Sequence, residues 1–447
     1  MIKFIKGNKR LLIAYSAAIS LQILFILGFI IFNWSSQISQ NSLLYNFFRD
    51  SLEPYQDYQI WYKSFVNNFI NKDWVPYSYS FPDIEFYTDW FSYLFDLFVG
   101  IRQYYYIYPP LFLYILSLLG MFNINLIFIP LLFATNLLPF VIYKFLSQSF
   151  NKKVAEWGFL ATIFCPLLIF YNGGLLLNTS LVSLFFTITL YFISTHKYKS
   201  ACVFLSISFL IKQTILFFIL PVLIYMVLES CRKDEAKFTL DYFKKLLIYS
   251  SIILGILFLG SLPWIVIYPS RYLNSILLPQ SMRINPDFIT PHHNYPVYWF
   301  SFLIDLKFPY WFLYIVGFLN FTAIGVVLTE IFVVVLLFYW HSHNTLNWVK
   351  FLDVIVYTAF LTHIFFPRGV FKYYFTFHIP LIILWLACHY YKVLTNDKKK
   401  NMRLLLYLIS VSLCVILIPR FYYLLLIWAI LIIMIRKSTK LSLTLEI

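Results

Sequence analysis

Residues 201–228 read ACVFLSISFLIKQTILFFILPVLIYMVL, an almost unbroken apolar run with Lys212-Gln213-Thr214 at its centre. The run is either one crossing with a buried lysine or a hairpin of two short helices turning at Lys212. A single crossing would reverse the side of everything that follows it. Cytoplasmic loops of membrane proteins collect Lys and Arg, so the charge split decides between the two. With the hairpin, one face receives the N-terminus, 144–153, 197–199, 232–245, Lys350, 392–403 and 436–440, which hold 23 of the 34 Lys and Arg residues. A single crossing would instead put Lys398-Lys399-Lys400 on the opposite side. The sequence therefore predicts the hairpin.

Composition fixes the class. Of the 447 residues 61% are hydrophobic, 22% aromatic and only 12% charged, and the mean hydropathy is +0.77. Soluble domains carry about 25% charged residues, so an all-α polytopic membrane protein is expected. The net charge of +15 is accounted for by the cytoplasmic loops and does not call for nucleic acid. Cys165, Cys202, Cys231, Cys388 and Cys414 are scattered without a C-x-x-C pair, which supports neither a disulfide framework nor a zinc site. Four basic residues in Met1–Arg10 precede the first apolar run without a small-residue cleavage site, which reads as a retained signal anchor with a cytoplasmic N-terminus.

About twelve hydrophobic segments follow, at roughly 11–32, 125–146, 154–171, 175–195, 200–212, 213–229, 244–268, 311–340, 351–366, 371–391, 403–419 and 421–435. No internal repeat divides them, so residues 1–447 are expected to form a single membrane domain. Two long loops, 33–120 and 269–310, fall on the outer face. Within the first, Asp57–Ile70, Ile84–Val99 and Leu111–Leu119 are expected as interfacial helices. Their apolar residues recur at three- and four-residue spacing, and nine apolar residues between Pro109-Pro110 and Gly120 cannot cross a bilayer core of about 30 Å.

The first outer loop also gathers the acidic residues, among them Glu53, Asp57, Asp83, Glu85 and Asp89. Asp57 sits between Tyr55 and Tyr58, an apolar setting that would raise its pKa and suit it to act as a base; the competing reading is a solvated loop aspartate. Lys212 in an apolar run would cost about 2.5–3.5 kcal/mol on insertion scales, so it is expected to face an anion or a polar cavity, or else to snorkel or pair structurally. Arg368 and Lys372 can bond a phosphate or anchor an interface. His292-His293 can contact a sugar or phosphate, or form a plain loop pair. Glu330, inside a long apolar run, reads as structural. No P-loop, H-E-x-x-H or G-x-S-x-G motif appears, so nucleotide hydrolysis and classical serine or zinc hydrolysis lack support.

The order Tyr55-Gln56-Asp57-Tyr58-Gln59-Ile60-Trp61, Trp74-Val75-Pro76-Tyr77, Tyr106-Ile107-Tyr108-Pro109-Pro110-Leu111, Asn172-Gly173-Gly174, then Lys212 to Pro221 and Lys372-Tyr373-Tyr374 to Pro380 resembles the GT-C superfamily of glycosyltransferases. Within it the sequence is most similar to glycosyltransferase family 87 and to the mannosyltransferase of GPI-anchor assembly. The resemblance covers roughly residues 10–390. It implies a GT-C-like helical bundle and inverting transfer of a sugar, mannose by analogy, from a polyprenyl- or dolichyl-phosphate donor. The acceptor would be a glycan, glycolipid or protein, and the reaction would run on the outer face of the membrane; the high Ile, Tyr, Phe and Asn usage fits an AT-rich prokaryote, so the plasma membrane is expected. It also implies Asp57 as general base with Glu53 displaced beside it, and Lys212 with Arg368 or Lys372 at the lipid phosphate. Tyr108, His292 and His293 would contribute to substrate binding. Where the family's motif has its first aspartate this sequence has Tyr55, so a metal-bridging Asp-x-Asp is not expected, and neither a metal nor another cofactor is called for. Two other classes remain open: a transporter or lipid-linked-sugar flippase, and a polysaccharide polymerase or ligase.

Overall fold

The computed structural model describes residues 9–28, 58, 62–71, 108–233, 240–269, 272, 297–321, 324–366 and 369–445. Helices α1 (Lys9–Ile26), α2 (Lys63–Asn71), α3 (Pro110–Gly120), α4 (Phe128–Ser149), α5 (Lys152–Ile163), α6 (Thr179–Ser194), α7 (Tyr198–Ile211), α8 (Leu216–Lys233) and α9 (Leu240–Ile267) form the first part of the chain. The second part holds α10 (Ser301–Asp305), α11 (Tyr310–Phe321), α12 (Ile324–Ser342), α13 (Trp348–Ile364), α14 (His378–His389), α15 (Tyr391–Asn396), α16 (Lys398–Leu417) and α17 (Tyr423–Leu445). Among the described residues there is no strand, only one antiparallel bridge between Val297 and Val370. Among the described residues, seven helices are long and apolar enough to cross a membrane. An eighth results if α5 and the π turn Leu168–Gly174, bent by 62°, count as one broken span. The chain is thus an all-α polytopic membrane protein. Several of the roughly twelve expected segments are shorter apolar helices, such as Thr179–Ser194 and Tyr198–Ile211, packed among the longer ones.

The chain reverses direction at Lys212. Helix α7 ends one residue earlier, Lys212 itself is extended (φ −151°, ψ 124°), and a 3-10 turn Gln213–Ile215 opens α8. Helix α7 runs alongside α9 in the same direction: the rings of Tyr198 and Tyr249 are 5.9 Å apart, and the Leu210 side chain lies against Gly260. Helix α8 runs the other way, because its last turn meets the chain just before α13, where Arg232 Nη1 donates to the Leu346 carbonyl at 2.6 Å.

The bundle accordingly has two unlike ends. One carries Lys152, Lys153, Lys350 and the Lys398–Lys400 run, tied across by Asn151 and Lys153 to Thr395 at 3.2 Å each. The other gathers the helix breaks at 168–178, 212, 366–378 and 418–422. The break after α5 is seated against α1 by the glycine pair. A Cβ on Gly173 would stand 2.6 Å from Gln22 Cγ, and one on Gly174 would stand 2.8 Å from Phe25 Cβ. Both contacts are near the α1 backbone, so only glycine permits the approach. The turn Asn172-Gly173-Gly174 is therefore fully buried.

Of the expected interfacial helices, two lie among the described residues. Helix α2 buries Phe65 and Val66 against the end of α3, where Val66 Cγ1 would stand 2.5 Å from a Cβ on Gly120. Helix α3 starts with Pro at its first turn, buries Phe112, Leu113 and Leu116, and at eleven residues spans roughly 16 Å, too short to cross. Residues 84–99 lie outside the described residues, as do most of 33–107 and 273–296.

Two outcomes test this architecture. Single cysteines at Phe122, which is 84% exposed, and at Lys399, introduced into a cysteine-free background, should react with an impermeant maleimide from opposite sides of the membrane. Reaction from the same side would restore the single crossing of 201–228. Gly174→Ala should destabilise the protein in detergent by about 1–3 kcal/mol through overpacking against α1. An unchanged unfolding midpoint would contradict the close approach.

Candidate functional site

At the end of the bundle away from the lysine-rich loops lies a cavity of about 460 Å³, its open mouth included. Its polar lining comes from Thr179, Lys212, Thr214, Thr362, His363 and His378, and its apolar lining includes Phe217, Phe218, Phe366 and Phe377. Each group arrives at a helix terminus: Thr179 at the start of α6, Lys212 between α7 and α8, Thr362 and His363 in the last turn of α13, and His378 at the start of α14. Helix termini leave backbone groups unpaired and so attract polar side chains.

Lys212 is 6% exposed. Its Nζ lies 3.4 Å from Asn178 Oδ1, 4.1 Å from the ring centroid of Tyr374 and 5.6 Å from that of Tyr373. The electron-rich ring faces attract the ammonium, and that attraction strengthens where water is excluded. Asn178 in turn donates its backbone N–H to the Tyr62 hydroxyl at 3.3 Å, which couples the first loop directly to the cavity wall. Behind Lys212 runs a hydroxyl chain: Thr179 Oγ1 donates to Asn172 Oδ1 at 2.6 Å, and Thr376 Oγ1 lies 2.9 Å from Thr179 Oγ1. The imidazoles of His363 and His378 meet edge to face at 4.7 Å. His363 Nε2 pairs with the Tyr423 hydroxyl at 2.7 Å, and His378 Nε2 donates to the Ala359 carbonyl at 2.8 Å.

The residues singled out in the sequence separate here. Lys212 is at the cavity. Lys372 is buried but engaged elsewhere: its Nζ donates to the Ile416 carbonyl at 3.1 Å and to that of Ile418. It thereby closes the C-terminus of α16, where the helix dipole favours a cation. The geometry favours that capping role over the expected place at a donor phosphate. Tyr108 is half-buried in an aromatic cluster, 6.0 Å from Tyr62, 5.2 Å from Phe112 and 6.5 Å from Phe65, so it packs α2 on α3. Glu330 is in α12, with neither carboxyl oxygen hydrogen-bonded among the described residues. Glu53, Asp57, His292, His293 and Arg368 lie outside the described residues. The neighbours of Asp57 are described: Tyr58 is buried, and burial pushes its phenol well up. Lys63 Nζ lies 5.3 Å from the Tyr58 ring centroid, and its ammonium is pushed down, again by burial.

Sequence reading passed over Asn178, Thr179, His363 and His378. Each is one polar residue at the edge of an apolar segment, and only the three-dimensional convergence of four helix ends sets them apart. A second buried cluster was also missed, toward the lysine-rich end. Asp353 Oδ1 accepts from Trp385 Nε1 and pairs with His389 Nε2, both at 2.8 Å, and its Oδ2 accepts from Ser438 Oγ at 2.7 Å. These bonds join α13, α14 and α17 with both carboxylate oxygens satisfied, which fits a structural tie. Among the described residues no group of three or more His, Cys, Asp or Glu is placed to hold a metal ion.

No protein-family model matches the sequence, and no curated protein matches it.

The two buried lysines should behave differently. Lys372→Met strips a charged donor from two carbonyls at a helix end, and should lower resistance to detergent unfolding by about 1–3 kcal/mol. Lys212→Met removes a cation from the cavity wall and should leave unfolding much less affected. Equal losses of stability for both would remove the distinction drawn between them.

Proposed function

We propose that this protein is a membrane glycosyltransferase of GT-C type, built on a GT-C-like bundle. It would move a sugar, mannose by family resemblance, from a polyprenyl- or dolichyl-phosphate donor to a glycan, glycolipid or protein acceptor. The observation that carries the reading is the buried ammonium of Lys212 at a cavity with polar and aromatic walls, opening at the bundle end remote from the lysine-rich loops. If those loops are cytoplasmic, as the excess of Lys and Arg favours, the N-terminus is cytoplasmic too and the cavity faces the outer side. A plasma-membrane location follows from the same reading. A lipid-borne donor suits a cavity whose apolar wall of Phe217, Phe218, Phe366 and Phe377 borders bilayer-length helices.

In this reading Asp57 takes the proton of the acceptor hydroxyl as that oxygen attacks the anomeric carbon. The sugar–phosphate bond breaks on the opposite face, so configuration inverts, and the phosphate leaves with the lipid. Lys212 stabilises the charge growing on the departing phosphate. The sequence places Asp57 directly before Tyr58, and Tyr62, four residues further on, is bonded to Asn178 beside Lys212. Burial disfavours the charged forms of Tyr58 and Lys63. Glu53, displaced from the motif's usual position, lies four residues before Asp57, and Arg368, His292 and His293 remain candidates for the substrate. A transporter of lipid-linked sugars is the second reading, favoured by the unpaired Glu330 carboxyl within a helix long enough to span; intramembrane carboxylates commonly mark transport paths.

Membranes supplied with radiolabelled polyprenyl-phosphate mannose should form a labelled product. Asp57→Asn, which keeps shape but cannot accept a proton, should lower transfer by about 10²–10⁴-fold. Donor binding should be little changed, and Glu53→Gln should have a milder effect. Turnover of Asp57→Asn within a few-fold of wild type would take the base away from Asp57. Movement of intact donor across vesicles without any transfer would favour the transporter.

A further inference from the structure

Three helices that start at the lysine-rich end open on cations. Helix α1 begins with Lys9-Arg10 and α5 with Lys152-Lys153, while α16 begins with Lys398-Lys399-Lys400 and carries Arg403 one turn on. A first turn ordinarily favours acidic side chains, because the helix dipole is positive there. An excess of Lys and Arg on one side is common to membrane proteins, but their collection at the starts of three neighbouring helices is particular to this bundle. Two carboxylates lie close to these eight cations: Glu156 is 3.8 Å from Lys152, and Asp397 is 3.4 Å from Lys400. Lys153 is engaged by the Thr395 carbonyl. Lys398, Lys399 and Arg403 are all exposed.

The three helices run side by side, and α5 is the middle one. It meets α1 through Phe159, whose ring is 6.1 Å from that of Tyr15, and through Ile163 in the same cluster. It meets α16 through Cys165, 3.3 Å from Ser412. Between those contacts its outward side carries Glu156, Leu160 and Phe164, at a four-residue spacing that keeps them on one face, each only half-buried. On α16, Met402, Leu406 and Leu413 follow Lys399 down one face in step with the helical repeat, and they are 55%, 53% and 43% exposed. The result is a shallow groove, cationic at its rim and apolar below it. From Met402 to Leu413 the helix rises about 16 Å, close to half of a hydrocarbon core of about 30 Å. That is the depth of one leaflet.

We propose that the groove along α5, between α1 and α16, binds an anionic phospholipid. Its phosphate lies at Lys399 and Arg403, and an acyl chain runs down past Met402, Leu406 and Leu413 against Leu160 and Phe164. Clusters of Lys and Arg beside a membrane helix attract anionic headgroups, and a guanidinium can bond a phosphate through two parallel donors. The apolar face directly below the cations selects a lipid over a free anion or an acidic protein, neither of which has a chain to cover it. This groove starts at the end of the bundle opposite the cavity, so the inference does not rest on the transferase reading.

The test uses the full-length protein, delipidated in a neutral detergent, with thermal unfolding followed. Dioleoylphosphatidylglycerol, dioleoylphosphatidylcholine and glycerol phosphate are titrated separately. Phosphatidylglycerol should raise the unfolding midpoint in a dose-dependent way, and phosphatidylcholine should need about fivefold more lipid or beyond for the same rise. Glycerol phosphate should have no effect at equal concentration. Lys399→Gln combined with Arg403→Gln should remove the preference for phosphatidylglycerol; both side chains are exposed, so the fold should be kept. Lys197→Gln combined with Lys199→Gln, at the start of α7, should leave the preference intact. Equal stabilisation by the two lipids, or a preference that survives in the groove variant, would overturn the proposal. An equal loss in both double variants would mark a diffuse effect of charge and overturn it as well. Stabilisation by glycerol phosphate at equal concentration would make the ligand a free anion and remove the lipid.

Discussion

A helix that stops inside a membrane protein must find partners for its last carbonyls and first amides, because lipid supplies none. This chain concentrates its helix breaks at one end of the bundle, and nearly every buried polar contact there answers a break. Lys372 takes the carbonyls that end α16. Thr135 bonds the Asn172 carbonyl at 3.3 Å, and the Tyr62 hydroxyl accepts from the Asn178 amide. The cavity is a consequence of these unfinished helices. Where four helix ends meet without filling the space between them, polar side chains remain around a void.

The same constraint separates two kinds of buried charge. Asp353 is surrounded by donors from three helices, and both of its oxygens are used, which is how a buried carboxylate becomes a fixed tie. Lys212 has softer partners on view, among them a long hydrogen bond to an amide oxygen and the faces of two tyrosine rings. Such partners help to hold the ammonium at the cavity wall.

Much of the architecture was legible because membrane physics writes directly into composition. The apolar runs, the lysine-rich loops and the reversal at Lys212 needed only hydropathy and charge, and α2 and α3 announced themselves by apolar spacing and by Pro110 and Gly120. The span count was less legible. Segments such as Thr179–Ser194 are as apolar as the bilayer-length helices, and only packing shows that they are shorter. Lys372 was the instructive case. Its sequence context, flanked by Phe371 and Tyr373, resembles that of a phosphate ligand, while its true surroundings come from residues 416–418, more than forty positions away. Asn178 and Thr179 were invisible for the converse reason, since a polar pair at a segment edge is the ordinary way to start a helix.

That ordinary reading is also where the site acquires its character. Asn178 is already helical in backbone (φ −63°, ψ −19°) and makes no side-chain capping bond; the Ser180 amide donates to the Leu177 carbonyl instead. With Oδ1 given to Lys212, one side chain does two things: it holds the ammonium at the cavity wall and leaves the helix N-terminus without a side-chain cap. Tyr62 then pins the Asn178 backbone from the first loop, so the position of that loop and the geometry of the lysine are mechanically linked. A change in the loop that carries the acidic residues would be felt at Lys212 through a single residue.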